Sequence, residues 1–291
     1  MSMTIGDLAG CLRIRQWTKN ILIFAALVFS RNLHRGGDLL LTTAAFFLFS
    51  LATGGIYIFN DILDVESDRR HPVKRMRPIA SGRVAPRSAW ALFLVLIVVS
   101  HTAAFMLDIG FGFVLSIYTV VQMLYSWELK NVVILDVFVV SAGFLLRVVA
   151  GGVIIGVEIS NWILVCTMLL SLFLALSKRR HELTLLEDKA FEHRIILRDY
   201  SPYLLDQMIG VVASATLVAY TIFTLSDTTM EKFGRSMVLT VPFVLYGIFR
   251  YLYLVHRKNA GGQPEETLLS DPPLQIAILG YGIVSLLVIY L

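Results

Sequence analysis

Charge is scarce in this chain. Of its 291 residues only 16% are Asp, Glu, Lys or Arg, while 57% are hydrophobic. An ordinary soluble domain has about 25% charged and about 45–50% apolar residues. So little polar side chain does not coat a water-exposed body of this size, and no room is left for a separate soluble domain. Cysteine is nearly absent too. Cys11 and Cys166 are far apart and match no metal or redox spacing, so a disulfide scaffold is not expected. The N-terminal M-S-M-T-I-G-D-L-A-G lacks the basic-then-apolar pattern of a cleaved signal peptide. Short alternating segments are also missing, which argues against a membrane β-barrel. The formal net charge of +4 lies in the loops. It bears on orientation and phosphate ligands, and nucleic acid is not an expected partner.

What is present is apolar runs. They predict an all-α polytopic membrane protein, one domain over residues 1–291, with about nine spanning helices near the ~20 residues a bilayer crossing needs. The expected spans are Trp17–Leu33 (the shortest), Leu39–Phe59, Ala89–Leu107, Gly110–Tyr125, Val132–Val157, Trp162–Ser177, Met208–Leu225, Met237–Tyr253 and Leu274–Leu291. Lys and Arg concentrate in the N-terminal segment and the even loops. The third and fifth loops have none, and the first and seventh have few. The positive-inside rule then places the N-terminus and the even loops in the cytoplasm and the C-terminus outside. A plasma-membrane location is expected. Two long charged loops, Asn60–Ser88 and Lys178–Asp206, lie four helices apart. That spacing predicts two pseudo-repeat halves, roughly 12–130 and 131–253, followed by a last helix at 274–291.

The first of these loops carries the chemistry. It reads N-D-I-L-D-V-E-S-D-R-R-H-P-V-K-R-M-R-P-I-A-S-G-R-V over Asn60–Val84. Asp61, Asp64 and Asp68 are spaced i, i+3 and i+7, so one helical face carries three carboxylates, with Asn60 at its edge. Such a face needs a positive charge between its acids, and a hard divalent cation such as Mg²⁺ is the usual one. Asn60, Asp61, Asp64 and Asp68 are the candidate metal ligands, and the three acids are the candidate catalytic residues. The downstream Lys74, Arg75 and Arg77 are candidates for the phosphate oxygens of a substrate. The alternative is a solvated loop between two helices.

Other clusters are weaker. In the second charged loop, S-K-R-R-H-E-L-T, Lys178, Arg179 and Glu182 share a helical face, whereas a basic patch there also sets topology. His181 and His193 have no partner at zinc-site spacing. The turn Y-S-W-E-L-K-N offers Tyr125, equally an interfacial anchor, and Lys130. Lys19 and Asn20 stand at the mouth of the first run. Arg147, inside an apolar run, costs at least ~2.5–3.5 kcal/mol unless it faces the bundle interior and finds a partner. A structural partner or an oligomer contact is as good a reading for it as catalysis. The nearby Gly143, Gly151 and Gly152 permit close helix packing, and a homo-oligomer is possible. Asp271 reads first as the start of the last helix.

With these residues in view, the chain resembles the UbiA superfamily of intramembrane prenyltransferases. N-D-I-L-D-V-E-S-D at 60–68, the segment ending R-P-I-A-S-G at 77–82, and Y-S-W-E-L-K at 125–130 carry the resemblance. The superfamily's second acidic motif, D-x-x-x-D, is replaced here by K-R-R-H-E. That change, R-Q-W-T-K-N near the start and G-G-Q-P-E-E-T-L-L-S-D near the end look like the decaprenyl-phosphate phosphoribosyltransferase branch. The resemblance implies Mg²⁺ as cofactor, with phosphoribosyl diphosphate (PRPP) and a polyprenyl phosphate as substrates. It also implies a place in the synthesis of lipid-linked precursors of cell-wall arabinan. PRPP and the lipid bring phosphates beyond the leaving diphosphate, and fixed Lys and Arg charges suit them. An ordinary prenyltransferase, moving a polyprenyl chain from its diphosphate to an aromatic acceptor, is the alternative. A transporter is disfavoured, because the polar residues gather at one face instead of the bilayer midplane.

Overall fold

The computed structural model describes residues 4–186, 195–258, 261–262 and 264–291. Among them every regular element is helical. Among the described residues eight helices are long and apolar enough to cross a membrane. The chain forms two compact units, Met1–Ile159 and Ser160–Leu291.

The first unit opens with α1 (Ile5–Leu12), started by a capping box in which the Thr4 hydroxyl accepts from the Asp7 amide at 3.2 Å. The first apolar run is not one α-helix. It is a 3₁₀ segment, Ile14–Phe24, followed by the five-residue α2, Ala25–Phe29. α3 spans Gly36–Leu63, four residues beyond the expected Phe59, so Asn60 and Asp61 belong to the helix. α4 (Val65–Arg70) follows at once. α5 (Pro86–Leu107) starts with proline at its first position, where no backbone donor is needed. α6 (Ile109–Trp127) is capped by Asp108, which accepts from the Phe111 amide at 2.7 Å. α7 (Leu135–Ile154) completes the unit.

The core of this unit joins Phe49, Ala52 and Ile56 of α3 to Phe111, Leu115 and Tyr118 of α6, with Ala150 and Ile154 of α7 and Ile23 of the 3₁₀ segment. Smaller residues decide how close these elements come. A β-carbon at Gly151 would stand 1.9 Å from the Ile23 carbonyl oxygen, so only glycine admits the 3₁₀ backbone there. Large apolar side chains such as Leu94 and Val98 on α5 are more than half exposed. A membrane protein solvates such residues with lipid.

The second unit holds α8 (Asn161–Leu186), α9 (Pro202–Leu225), α10 (Asp227–Phe233), a 3₁₀ turn (Arg235–Thr240), α11 (Val241–Arg257), α12 (Pro264–Ser270) and α13 (Pro272–Tyr290). α8 corrects the expected boundary at Ser177: the helix carries on through S-K-R-R-H-E-L-T, and Lys178, Arg179 and Glu182 are helical, as the helical face expected of them requires. Lys189, His193 and Arg194 of the same charged stretch lie outside the described residues. α13 starts at Asp271, which caps the Leu274 amide at 2.9 Å and pairs with Arg250 of α11 at 2.8 and 3.0 Å.

Candidate active site

Helix α3 delivers Asp61 in its last turn, and the sequence N-D-I-L-D then breaks the helix for one residue. Asp64 sits at φ −92°, ψ 6° between α3 and α4. The single acidic face expected from spacing is therefore divided. Asp61 and Asp68 point to one partner and Asp64 to another.

Asp61 and Asp68 are each 2% exposed. One guanidinium nitrogen, Nη1 of Arg77, donates to Asp61 Oδ1 at 3.1 Å and to Asp68 Oδ2 at 2.6 Å. Arg13 donates to the same Asp61 oxygen and lays its guanidinium over the Tyr57 ring, 4.7 Å from the centroid. Two buried carboxylates thus share two cations, which removes the repulsion that isolated acids would suffer. Asp64 is more open. Lys130 Nζ donates to its Oδ1 at 2.5 Å, and Asn60 Nδ2 to its Oδ2 at 3.1 Å.

The basic segment is folded rather than extended. Arg69 Nε reaches the Ala80 carbonyl at 3.3 Å, and Arg83 reaches the Met76 carbonyl at 2.8 Å. His71 Nδ1 accepts from the Val73 and Lys74 amides at 3.1 and 3.2 Å, closing the turn that turns Arg77 back to the acids. Arg83 also pairs with Asp7 of α1 at 3.2 Å. The Thr4 hydroxyl, followed by the nearby Arg83, holds the Asp7 carboxyl below the usual carboxylate range. Burial pushes the neighbouring Cys11 thiol up to about 11, so it stays protonated and inert.

Of the residues singled out from sequence, Asp61, Asp68 and Arg77 form one group, and Asn60, Asp64 and Lys130 form a second. Lys74 stands at the turn before Arg77, Arg75 is exposed, and Lys19 and Tyr125 are partly buried elsewhere in the first unit. In the second unit Arg179 is 3% exposed and donates to Glu182 at 2.8 Å. Its neighbour Arg180 pairs with Asp206, which His256 also meets at 3.2 Å. Sequence reasoning passed over Arg13. Arg13 and Arg15 both add to the positive charge of the N-terminal segment, and nothing in the sequence separates them. The difference is local backbone: Arg13 takes the left-handed conformation, φ 48° and ψ 53°, between α1 and the 3₁₀ segment.

The donor set suits a hard divalent ion in kind, with three carboxylates and one amide within nine residues. In arrangement, each acid is matched to a fixed cation, and among the described residues no three His, Cys, Asp or Glu side chains converge on one metal position.

Residues 20–267 match the UbiA prenyltransferase family. The chain belongs to that family. Within it, this UbiA-family chain is 36% identical to the decaprenyl-phosphate phosphoribosyltransferase of Mycolicibacterium smegmatis, covering 95% of this chain and 90% of that one. It is 34% identical to the protein of the same name from Corynebacterium glutamicum, covering 96% and 86%. Its fold is shared with a UbiA homolog from Archaeoglobus fulgidus bound to GPP and Mg²⁺ (TM-score 0.70, 17% identity, 97% of this chain and 96% of that one).

Proposed function

We propose that this UbiA-family protein transfers 5-phosphoribose from PRPP to a polyprenyl phosphate and releases diphosphate. The observation that carries the reading is the 34–36% identity, across 95–96% of the chain, to decaprenyl-phosphate phosphoribosyltransferases. The site supports it chemically. Arg13 and Arg77 are held on Asp61, and Lys130 is held on Asp64, three residues further along the chain. Guanidinium groups suit phosphate oxygens that are polyvalent and forked.

Asn60, Asp61, Asp64 and Asp68, which share no metal position in this arrangement, are the residues that would draw together to hold Mg²⁺, whose charge would offset that of the diphosphate. Arg13, Arg77 and Lys130 orient the diphosphate and stabilise it as it leaves with the electron pair of the C1–O bond. An oxygen of the lipid phosphate forms the new bond to ribose C1 from the opposite face. A phosphate monoester is already largely dianionic at neutral pH, since its second pKa is about 6. The nucleophile has no proton to lose, so no general base is needed. Lys74, Arg75, Lys19 and Tyr125 of the first unit are proposed for the remaining phosphates and the lipid head; Lys178, Arg179 and Glu182 are proposed as substrate-binding residues of the second unit. The product, a lipid-linked pentose phosphate, would serve as a precursor of cell-wall arabinan. The site would face the cytoplasm of the plasma membrane, with the C-terminus outside.

Donor choice tests this. The purified protein is offered labelled PRPP with polyprenyl phosphate, or a labelled prenyl diphosphate with an aromatic acceptor. Transfer from PRPP alone is expected. Transfer only from the prenyl diphosphate would replace this reading with that of an ordinary prenyltransferase.

A further inference from the structure

Arg147 is 5% exposed in the middle of α7, and its partners among the described residues are all neutral. Nε donates to Asn20 Oδ1 at 2.7 Å, Nη1 to the Gly143 carbonyl at 2.7 Å, and Nη2 to the Tyr118 hydroxyl at 2.8 Å. The guanidinium also faces the rings of Tyr118, Phe49 and Phe144 at 4.8, 5.3 and 5.6 Å. A cation so placed is costly, and the rings and acceptors offset that cost. What it holds is more informative. Asn20, itself fully buried, passes the contact on by donating to Ser50 Oγ of α3 at 2.8 Å.

The 3₁₀ segment is thus tied to α3 at two points: Asn20 to Ser50, and Arg13 to Asp61. Along α3 the two anchors are eleven residues apart, roughly 16 Å at α-helical rise. Along the N-terminal segment they are only seven residues apart, roughly 14 Å at 3₁₀ rise. Wound as an α-helix the same seven residues would cover only about 10 Å. The 3₁₀ winding matches the two spacings. It also runs for eleven residues, where runs beyond ~3–4 are uncommon. Arg13 and Asn20 bracket the first seven of those residues, so the winding between the two anchors is held on either side.

We propose that Asn20 and Arg147 are positioning residues: they anchor the 3₁₀ segment at Asn20 so that Arg13, seven residues before it, reaches Asp61. Neither touches substrate. Released from Arg147, the segment shortens toward α-helical pitch and withdraws Arg13 from the acid. The functional half of this statement rests on the reading of the Asp61 cluster as the diphosphate site.

Spin labels at Arg15 and Glu66, both exposed, report the geometry without using activity. N20A, and R147M as an independent variant, should shift or broaden the Arg15–Glu66 distance distribution by a few ångströms, the difference between the two helical pitches. R147K, which keeps charge and one donor, should recover most of the wild-type distribution. An unchanged distribution in both N20A and R147M overturns the proposal. Kinetics supply the second arm as a double-mutant cycle with R13A. N20A should lower kcat/KM for PRPP about tenfold in the wild-type background and less than twofold in R13A. Equal losses in both backgrounds would mean that Asn20 acts on packing alone and would also overturn it. A shifted distance together with full activity in R13A would instead keep the anchoring and overturn the diphosphate reading of the site.

Discussion

Arg77 Nη1 bridges Asp61 and Asp68, 3.1 Å from one and 2.6 Å from the other, so one nitrogen links the last turn of α3 to α4. Both acids are nearly inaccessible, so the cation cannot be replaced by water. Arg77→Met should therefore leave Asp68 buried without its cation, while Asp61 keeps Arg13. Breaking a buried pair costs about 3–5 kcal/mol, and because Arg77 keeps a quarter of its side chain in solvent the lower end applies. Thermal unfolding in detergent should show a fall in midpoint of several degrees. PRPP turnover should fall at least a hundredfold. A variant with unchanged midpoint and turnover would show that the bridge carries neither stability nor function.

Asp64 differs from the other two acids by its exposure, with 28% of its side chain accessible. It is the carboxylate most open to an incoming ion. Asp64→Asn keeps the shape and removes the charge. It should raise the Mg²⁺ concentration needed for half-maximal transfer at least tenfold, while Lys130→Met, which frees the same carboxylate, should not. A Mg²⁺ titration of both variants checks this. An unaltered Mg²⁺ dependence in Asp64→Asn would remove Asp64 from the ligand set.

Gly151 sets the approach of the 3₁₀ segment. Gly151→Ala places a methyl group where the Ile23 carbonyl oxygen now stands, 1.9 Å from it. Backbone must move, so this substitution should cost more than a typical overpacking of ~1–3 kcal/mol. It should also reduce activity more than Gly37→Ala, where the added carbon meets open space. Comparable activity in the two variants would argue against tight packing at Gly151.

Asp271 gives a pH-dependent contribution to stability. Its hydrogen bonds from Arg250, above all, hold its carboxyl below the ordinary value. A carboxyl with a depressed folded pKa stabilises the fold above its unfolded pKa, near ~3.9, and loses that contribution as pH falls through the folded value. At pH 7 Asp271→Ala should lose about 1 kcal/mol from the cap alone. The gap in unfolding midpoint between wild type and variant should narrow below about pH 4, where the carboxyl of the unfolded chain takes up a proton while the folded one stays ionised. A gap that is constant from pH 7 to pH 3.5 would contradict the ion-pair account.

Much of this was legible in the sequence because membrane burial writes itself in long apolar runs. The run over 39–59 became α3, and the N-D-I-L-D-V-E-S-D motif marked the acids that cluster. Asp271 read first as the start of the last helix, and it caps α13. What the sequence hid depends on backbone geometry that apolar periodicity does not encode. The first run gave no sign of 3₁₀ winding, because hydropathy alone cannot tell 3₁₀ from α over so short a stretch. Arg13 could not be told from Arg15 without the left-handed turn that aims it. α8 continued past Ser177, where hydropathy drops at the first charged residues although the helix runs on and Arg180 pairs with Asp206. The two predicted pseudo-repeat halves, which divide near residue 130, remain a proposal.

Transfer itself is the most direct test. The purified protein, Mg²⁺, PRPP labelled in the ribose and a polyprenyl phosphate are combined, and the organic phase is counted. Label is expected in lipid, lost with EDTA and lost in Arg77→Met. No label in lipid, from a preparation that moves a labelled prenyl chain onto a small acceptor, would contradict the phosphoribosyl reading.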